Sequence, residues 1–169
     1  MDTLEAIRSR RSIRQYQDRP VPAEIVDRLL AAAMSAPSAR NAQPWQLIVI
    51  DDRGVLDEIA RLNPNARMAA EAPLGILVCG DLGLEKSPGF WVVDCAAAME
   101  NLLLAAHATG LGGVWIGIYP RQERMDICRR LFALPEQVIA HSLAVLGFPA
   151  EQPPAVERFR PDRVHRNRW

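Results

Sequence analysis

The chain has 169 residues, balances 20 basic against 20 acidic side chains, and is 49% apolar. That length and apolar content fit one globular domain over residues 1–169 and exclude a disordered chain. No apolar run reaches the roughly 18 residues of a membrane span, and the charged start Met1–Arg10 lacks signal-peptide character, so a soluble cytoplasmic protein without membrane contact is expected.

Taken in chain order, Thr3–Arg10 reads as a short helix capped by Asp2, with Leu4 and Ile7 inward and Ala6 beside them. Pro22–Ser35 is a clearer helix, since Val21, Ile25, Val26, Leu29, Leu30 and Ala33 recur at helical spacing and Pro37 ends it. Ser35–Trp45, "SAPSARNAQPW", is a loop of turn formers and small polar residues. Gln46–Ile50 is a strand, Arg53–Asn63 a helix with Val55, Leu56, Ile59 and Leu62 inward, Ala66–Glu71 a short helix, and Leu74–Cys79 a strand buried on both faces.

Phe90–Thr109 is apolar nearly all round, its polar residues confined to two rows, Asp94 with Asn101 and Glu100 with His107. Such a helix is buried from several sides, by a partner subunit or at the centre of one core. Gly110, Gly112 and Gly113 stop it. Val114–Ile118 is a strand, Arg121–Leu131 a helix, and Gln137–Leu146 a strand. From Pro149, with Pro153, Pro154 and Pro161, the chain is an extended arm (149–169) that must lie against something else, the other subunit of a dimer being one such surface.

Three stretches carry chemistry. "IRSRRSIRQY" places Arg8, Arg10, Arg11 and Arg14 around Ser12 at a helix end. Guanidiniums converging there suit a phosphate or a polarised carbonyl, and equally a solvated helix end complementing the macrodipole. "PSARNAQPW" offers Ser38, Asn41 and Gln43, whose donors and acceptors match the edge of a planar heterocycle or an ordinary capped turn, with Trp45 anchoring the loop. "GLGGVWIGIYP" flanks a strand with glycines, and at Gly117 a bare backbone lets a flat ring approach.

Other chemistries lack support. The glycines precede a strand rather than follow one, so a Rossmann dinucleotide fold is not expected. No serine sits in a nucleophile elbow. Cys79, Cys95 and Cys128 read as buried thiols, and the histidines lack ligand spacing, so no metal is expected. The neutral middle of the chain, with Lys86 its only lysine, speaks against nucleic acid.

The collinear set "RRSIRQY", "SAPSARNAQPW", "DCAAAMENLLLAAHATGLGGVWIG" and "RVHRNRW" resembles the FMN-dependent nitroreductase-like family. The resemblance implies an α+β fold with a mixed, mostly antiparallel central sheet flanked by helices, and an intertwined homodimer that exchanges its C-terminal arms and holds FMN at the interface. It implies that Arg10, Arg11, Ser12 and Arg14 bind FMN, with Arg10 and Ser12 near the phosphate and ribityl chain and Arg14 near the pyrimidine carbonyls. Pro37, Ser38, Ala39 and Asn41 reach the flavin of the other subunit, and Gln43 supports their loop. Gly117, Trp115 and Ile116 pass beside the ring, and Arg163, with Arg166 second, meets the phosphate. The implied activity is ping-pong reduction of nitroaromatics, quinones or similar small acceptors by NADH or NADPH, with no side-chain acid or base required and so no catalytic residue assigned. The alternative is a carrier or sensor that holds FMN without turnover. Only Asp81–Phe90 stands where larger relatives place a lid, which implies an open pocket.

Overall fold

The apolar runs pair side by side. The computed structural model, which describes residues 1–169, joins Trp45–Ile50 (β1), Leu74–Asp81 (β2), Gly112–Gly117 (β3) and Val138–Gly147 (β4) into one sheet in the order β1–β2–β4–β3. Every strand pair is antiparallel. The only parallel pairing is the isolated bridge between Ser12 and Gly113. The central strands β2 and β4 are buried on both faces, as their unbroken apolar sequences require.

Side-chain alternation along the strands builds two cores. Ile76 and Val78 point to one side, where Leu29, Met99, Leu102 and Leu146 meet them. Leu77 and Cys79 point to the other, where they meet Leu56, Ile59, Ile116 and Leu143. The first core lies under Ala23–Met34 (α2) and Trp91–Ala108 (α4), the second under Arg53–Leu62 (α3) and Gln122–Leu131 (α5). The first helix is Thr3–Ser9 (α1), where Asp2 accepts the Glu5 N–H at 3.0 Å.

The two polar rows of α4 face neighbouring elements. The Asn101 side chain donates to the Ala32 carbonyl of α2 at 3.1 Å. Glu100 faces Arg10, and His107 is 2.7 Å from the Ser9 hydroxyl of α1. A further stripe points outward, with Phe90 and Val93 at 53% and 62% exposure.

Two expectations need correction. Leu4 and Ile7 face solvent in α1, at 61% and 52% exposure, while Ala6 is buried. The helix rests on α4 through the Ala6–Ser9 face, where small side chains allow close approach, so the larger residues turn away. The segment expected to be helical over Ala66–Glu71 is instead a 3-10 helix over Pro64–Ala70, kinked at Ala66. The break at Ala66 keeps the segment from winding as one α-helix, and the Arg53 guanidinium donates to the carbonyls of Ala69 and Ala72 at its end.

The other element boundaries agree within two residues. The arm begins anchored, with Ala150 N–H donating to Gln15 and Tyr16 bridged to Pro149. From Pro154 to Trp169 every residue is exposed, and only Pro161–Arg163 makes a turn. No helix is long and apolar enough to cross a membrane.

Candidate functional site

The arginine segment leaves α1 and runs along the free edge of β3. Ile13 donates its N–H to the Gly113 carbonyl at 3.0 Å. A Cβ on Gly112 would stand 2.6 Å from the Ile13 side chain, so this contact requires glycine. Tyr16 fixes the far end, its buried hydroxyl 2.6 Å from the Ile13 carbonyl and 2.9 Å from the Val145 carbonyl. Burial holds that phenol in its protonated form, well above its ordinary pKa.

The cations of this segment have unequal surroundings. Arg10 is largely buried; its Nε lies 3.6 Å from Glu100 and makes no hydrogen bond. Arg11 is committed to backbone. It donates to the carbonyls of Arg8, Arg10, Pro154 and Val156, clamping the start of the arm. The side chain of Arg14 is exposed, while its backbone N–H and that of Gln15 are held by Glu151.

Ladder geometry decides which backbone groups of β3 are free. The Gly113 carbonyl faces outward to Ile13, so by the two-residue alternation of an antiparallel edge Trp115 and Gly117 also present their polar groups outward. Ile116 faces β4, and its side chain is buried under α5; it offers neither backbone nor side chain to the edge. The Trp115 side chain packs on the α4 side. Gly117 is exposed, and a Cβ built there meets nothing within 4 Å. Its carbonyl accepts from Arg124. At a rise of about 3.4 Å per residue, β3 carries the site from Ser12 to Gly117 over about 14 Å.

The loop after α2 stands at the N-terminal end of α4. Arg40, Asn41 and Gln43 all have left-handed backbones, with φ of 53°, 52° and 50°. The loop is pinned by several bonds. The Ser38 hydroxyl accepts the Gln43 N–H at 2.9 Å, Lys86 donates to the Asn41 carbonyl at 3.3 Å, and Asp94 accepts the Ala39 N–H at 2.9 Å. Pro37, Asn41 and Gln43 are exposed, and Trp45 is buried beneath them.

Sequence reasoning missed the anchors Asp94, Lys86 and Glu151. A carboxylate in an otherwise apolar helix was the available signal for the first. It also missed an aromatic group beside Gly117, in which Trp91 meets Tyr119 edge-on at 4.9 Å and His141 at 6.1 Å. His141 is buried, its Nδ1 2.8 Å from the Ser142 hydroxyl, and desolvation lowers its pKa to about 4.

Within one protomer the arginine segment meets β3, but no hydrogen bond or ion pair joins it to the Ser38–Gln43 loop. Arg163 and Arg166 lie in the exposed arm, without side-chain bonds to the arginine segment. A groove of about 950 Å³ lies between α1 and the arm and includes only Arg11 of the candidate residues.

Comparison with known proteins gives the same pattern in sequence and in fold. The nitroreductase family model matches residues 7–74 and 60–148. A Methanothermobacter thermautotrophicus protein, provisionally named NADH dehydrogenase/NAD(P)H nitroreductase, is 52% identical over 169 residues, covering 100% of this chain and 88% of the relative. A crystal structure from Parabacteroides distasonis with the same provisional name superposes with a TM-score of 0.95 at 41% identity, covering 99% of this chain and 98% of that one. A provisionally named nitroreductase from Desulfovibrio desulfuricans, crystallised in complex with FMN, has a TM-score of 0.86 at 31% identity, covering 100% of this chain and 99% of that one. The arginine segment, the glycine-edged strand and the strained loop therefore sit in a shared framework, and this chain belongs to the nitroreductase family.

Proposed function

We propose that this protein is an FMN-dependent NAD(P)H oxidoreductase that reduces nitroaromatic compounds, quinones or similar small acceptors by ping-pong hydride transfer. The observation that carries the reading is Arg10, whose buried Nε has no hydrogen-bond partner, beside Ser12 at the start of an edge strand that ends in the open space at Gly117. Glu100 balances its charge without hydrogen-bonding this nitrogen, and a phosphomonoester oxygen supplies the missing acceptor. The open space over Gly117 fits a planar ring against bare backbone.

Bound FMN supplies the two-electron redox chemistry. The chain supplies binding, orientation and electrostatics. Arg10 and Ser12 hold the phosphate and ribityl chain. Arg14, whose guanidinium is exposed, meets the carbonyl edge of the ring and favours negative charge there. Arg11 acts behind them, since its donors already hold the arm and the backbone of its own segment. The outward N–H of Gly117 lies beside the ring, and the aromatic group behind it closes that wall.

The second half of the cradle comes from a second copy of the chain. Pro37, Ser38, Ala39 and Asn41 of one protomer face the flavin held by the other, and Arg163 or Arg166 reaches the phosphate from the arm. The exposed side chains of Phe90 and Val93, the outward polar groups of β3, and an arm carrying exposed Phe159 and Trp169 support this homodimer. The short Asp81–Phe90 connection leaves the pocket open to acceptors of varied shape.

Steady-state assays test the activity. NADPH or NADH oxidation by the purified protein should depend on added quinone or nitroaromatic and follow parallel-line kinetics. Tight FMN binding without turnover with any acceptor would overturn the oxidoreductase reading and leave a flavin-holding protein.

A further inference from the structure

We propose that Asp94 is a positioning residue for the flavin: by accepting the Ala39 N–H it holds the Ser38–Gln43 loop in the strained conformation that meets the cofactor. The inference rests on the flavin reading above and assigns a role to a group that the reading does not use.

Asp94 sits in the first turn of α4 and is only 4% exposed. One carboxylate oxygen accepts the Ala39 N–H at 2.9 Å. The other, also buried, makes no hydrogen bond, and no basic side chain pairs with the residue. A buried carboxylate without a cation costs stability. Its helix is otherwise apolar along the buried side, where an alanine or leucine would pack at no such cost. What the carboxylate gains is control of the loop.

That loop needs control. Three of the four residues Arg40–Gln43 occupy the left-handed region without being glycine, a conformation that persists only where the surroundings impose it. The Ser38 hydroxyl and Lys86 restrain its closing half. Asp94 restrains its opening turn, and this bond ties the loop to α4, the longest helix of the fold. Releasing it allows Arg40 and Asn41 to relax, and the loop then loses the shape presented to the ring.

The test is the rate at which the yellow holoprotein releases FMN on dilution, read from the recovery of flavin fluorescence. Four variants separate the bond from the charge and from packing. Asp94→Leu removes the acceptor. Ala39→Pro removes the donor from the loop side. Proline is compatible there, because Ser38 before it is extended with ψ 153° and position 39 opens the turn. Asp94→Asn keeps an acceptor oxygen without the charge. The fourth variant combines Asp94→Leu with Ala39→Pro.

The expected result is release faster by roughly tenfold to a hundredfold for Asp94→Leu and for Ala39→Pro, the scale of one charge-assisted hydrogen bond. Asp94→Asn, which keeps a neutral acceptor, should release FMN more slowly than Asp94→Leu and at a rate nearer to wild type. The double variant should release FMN no faster than the quicker single one, since both remove the same bond. Wild-type release from Asp94→Leu, release from Asp94→Asn as fast as from Asp94→Leu, or additive losses in the double variant would overturn the assignment. If Asp94→Leu does not fold, Ala39→Pro decides against Asp94→Asn: fast release from the first with slow release from the second supports the bond, and wild-type release from Ala39→Pro overturns it. A wild-type protein that neither carries nor takes up FMN overturns the flavin reading itself, which is seen before any variant is made.

Discussion

Burial decides what each arginine of the N-terminal segment can do. The sequence shows four cations around Ser12 and cannot rank them, because ranking depends on carbonyls and carboxylates contributed from far along the chain. Arg11 meets Pro154 and Val156, and Arg10 meets Glu100. Only the fold reveals that Arg10 keeps a free buried donor. Arg10→Ala should therefore lower FMN affinity by roughly tenfold to a hundredfold, the loss of one charged hydrogen bond, with equilibrium dialysis of FMN as the check. Wild-type affinity would take Arg10 out of the site. His141 gives a second expectation at this scale. Burial holds its pKa at about 4 in the folded protein against 6.5 in a free histidine. The unfolded chain then binds more protons between those values, so stability falls as pH drops from 6.5 towards 4 and is independent of His141 above that window. The full effect is on the order of 3 kcal/mol. Urea unfolding from pH 7 to pH 4 should show a steeper loss for wild type than for His141→Gln, and parallel pH profiles for the two would contradict the assignment.

Strands and long helices were legible in the sequence because burial sets their periodicity. Leu74–Cys79 is an unbroken apolar run and became a central strand. The apolar surround of Phe90–Thr109 marked α4, and its two polar rows proved to face α1 on one side and α2 with the loop on the other. Short elements were less legible. In α1 the choice of inward face turned on one alanine, and in Pro64–Ala70 the backbone breaks at Ala66, whose side chain is fully buried. The left-handed backbones of Arg40, Asn41 and Gln43 leave little trace in composition, since neither arginine nor glutamine announces them. Edge strand β3 carries the prediction for this scale. No protein atom meets a Cβ at Gly117, so Gly117→Val should unfold within about 0.5 kcal/mol of wild type, as a surface change does. The same branched side chain occupies the space assigned to the ring, so FMN binding should be lost. Thermal unfolding and flavin content, measured on one preparation, check both halves. A variant that unfolds early, or one that stays yellow, would contradict the placement of the cofactor along this edge.

At the scale of the whole molecule, one protomer does not bring the candidate residues together. Its arginine segment and its Ser38–Gln43 loop do not meet, its arm is exposed from Pro154 onward, and α4 leaves Phe90 and Val93 uncovered. The sequence pointed the same way through an arm too rich in proline to fold on itself and a helix so apolar that either a partner subunit or a central core must cover it. The choice between Arg163 and Arg166 for the proposed phosphate contact was not legible, because both lie in an exposed segment that makes few contacts within the protomer. Deleting Pro161–Trp169 should split the dimer or release FMN, as followed by light scattering with flavin absorbance; a truncated protein that remains dimeric and yellow would remove the arm from the site. The most direct measurement is an anaerobic titration of the purified protein with NADPH or NADH, followed in the visible flavin band. The account predicts a yellow protein that is bleached by one equivalent of reductant per bound FMN and regains its colour when a quinone or nitroaromatic is added. A colourless protein that ignores added FMN, or a yellow one that neither nicotinamide bleaches, would contradict it.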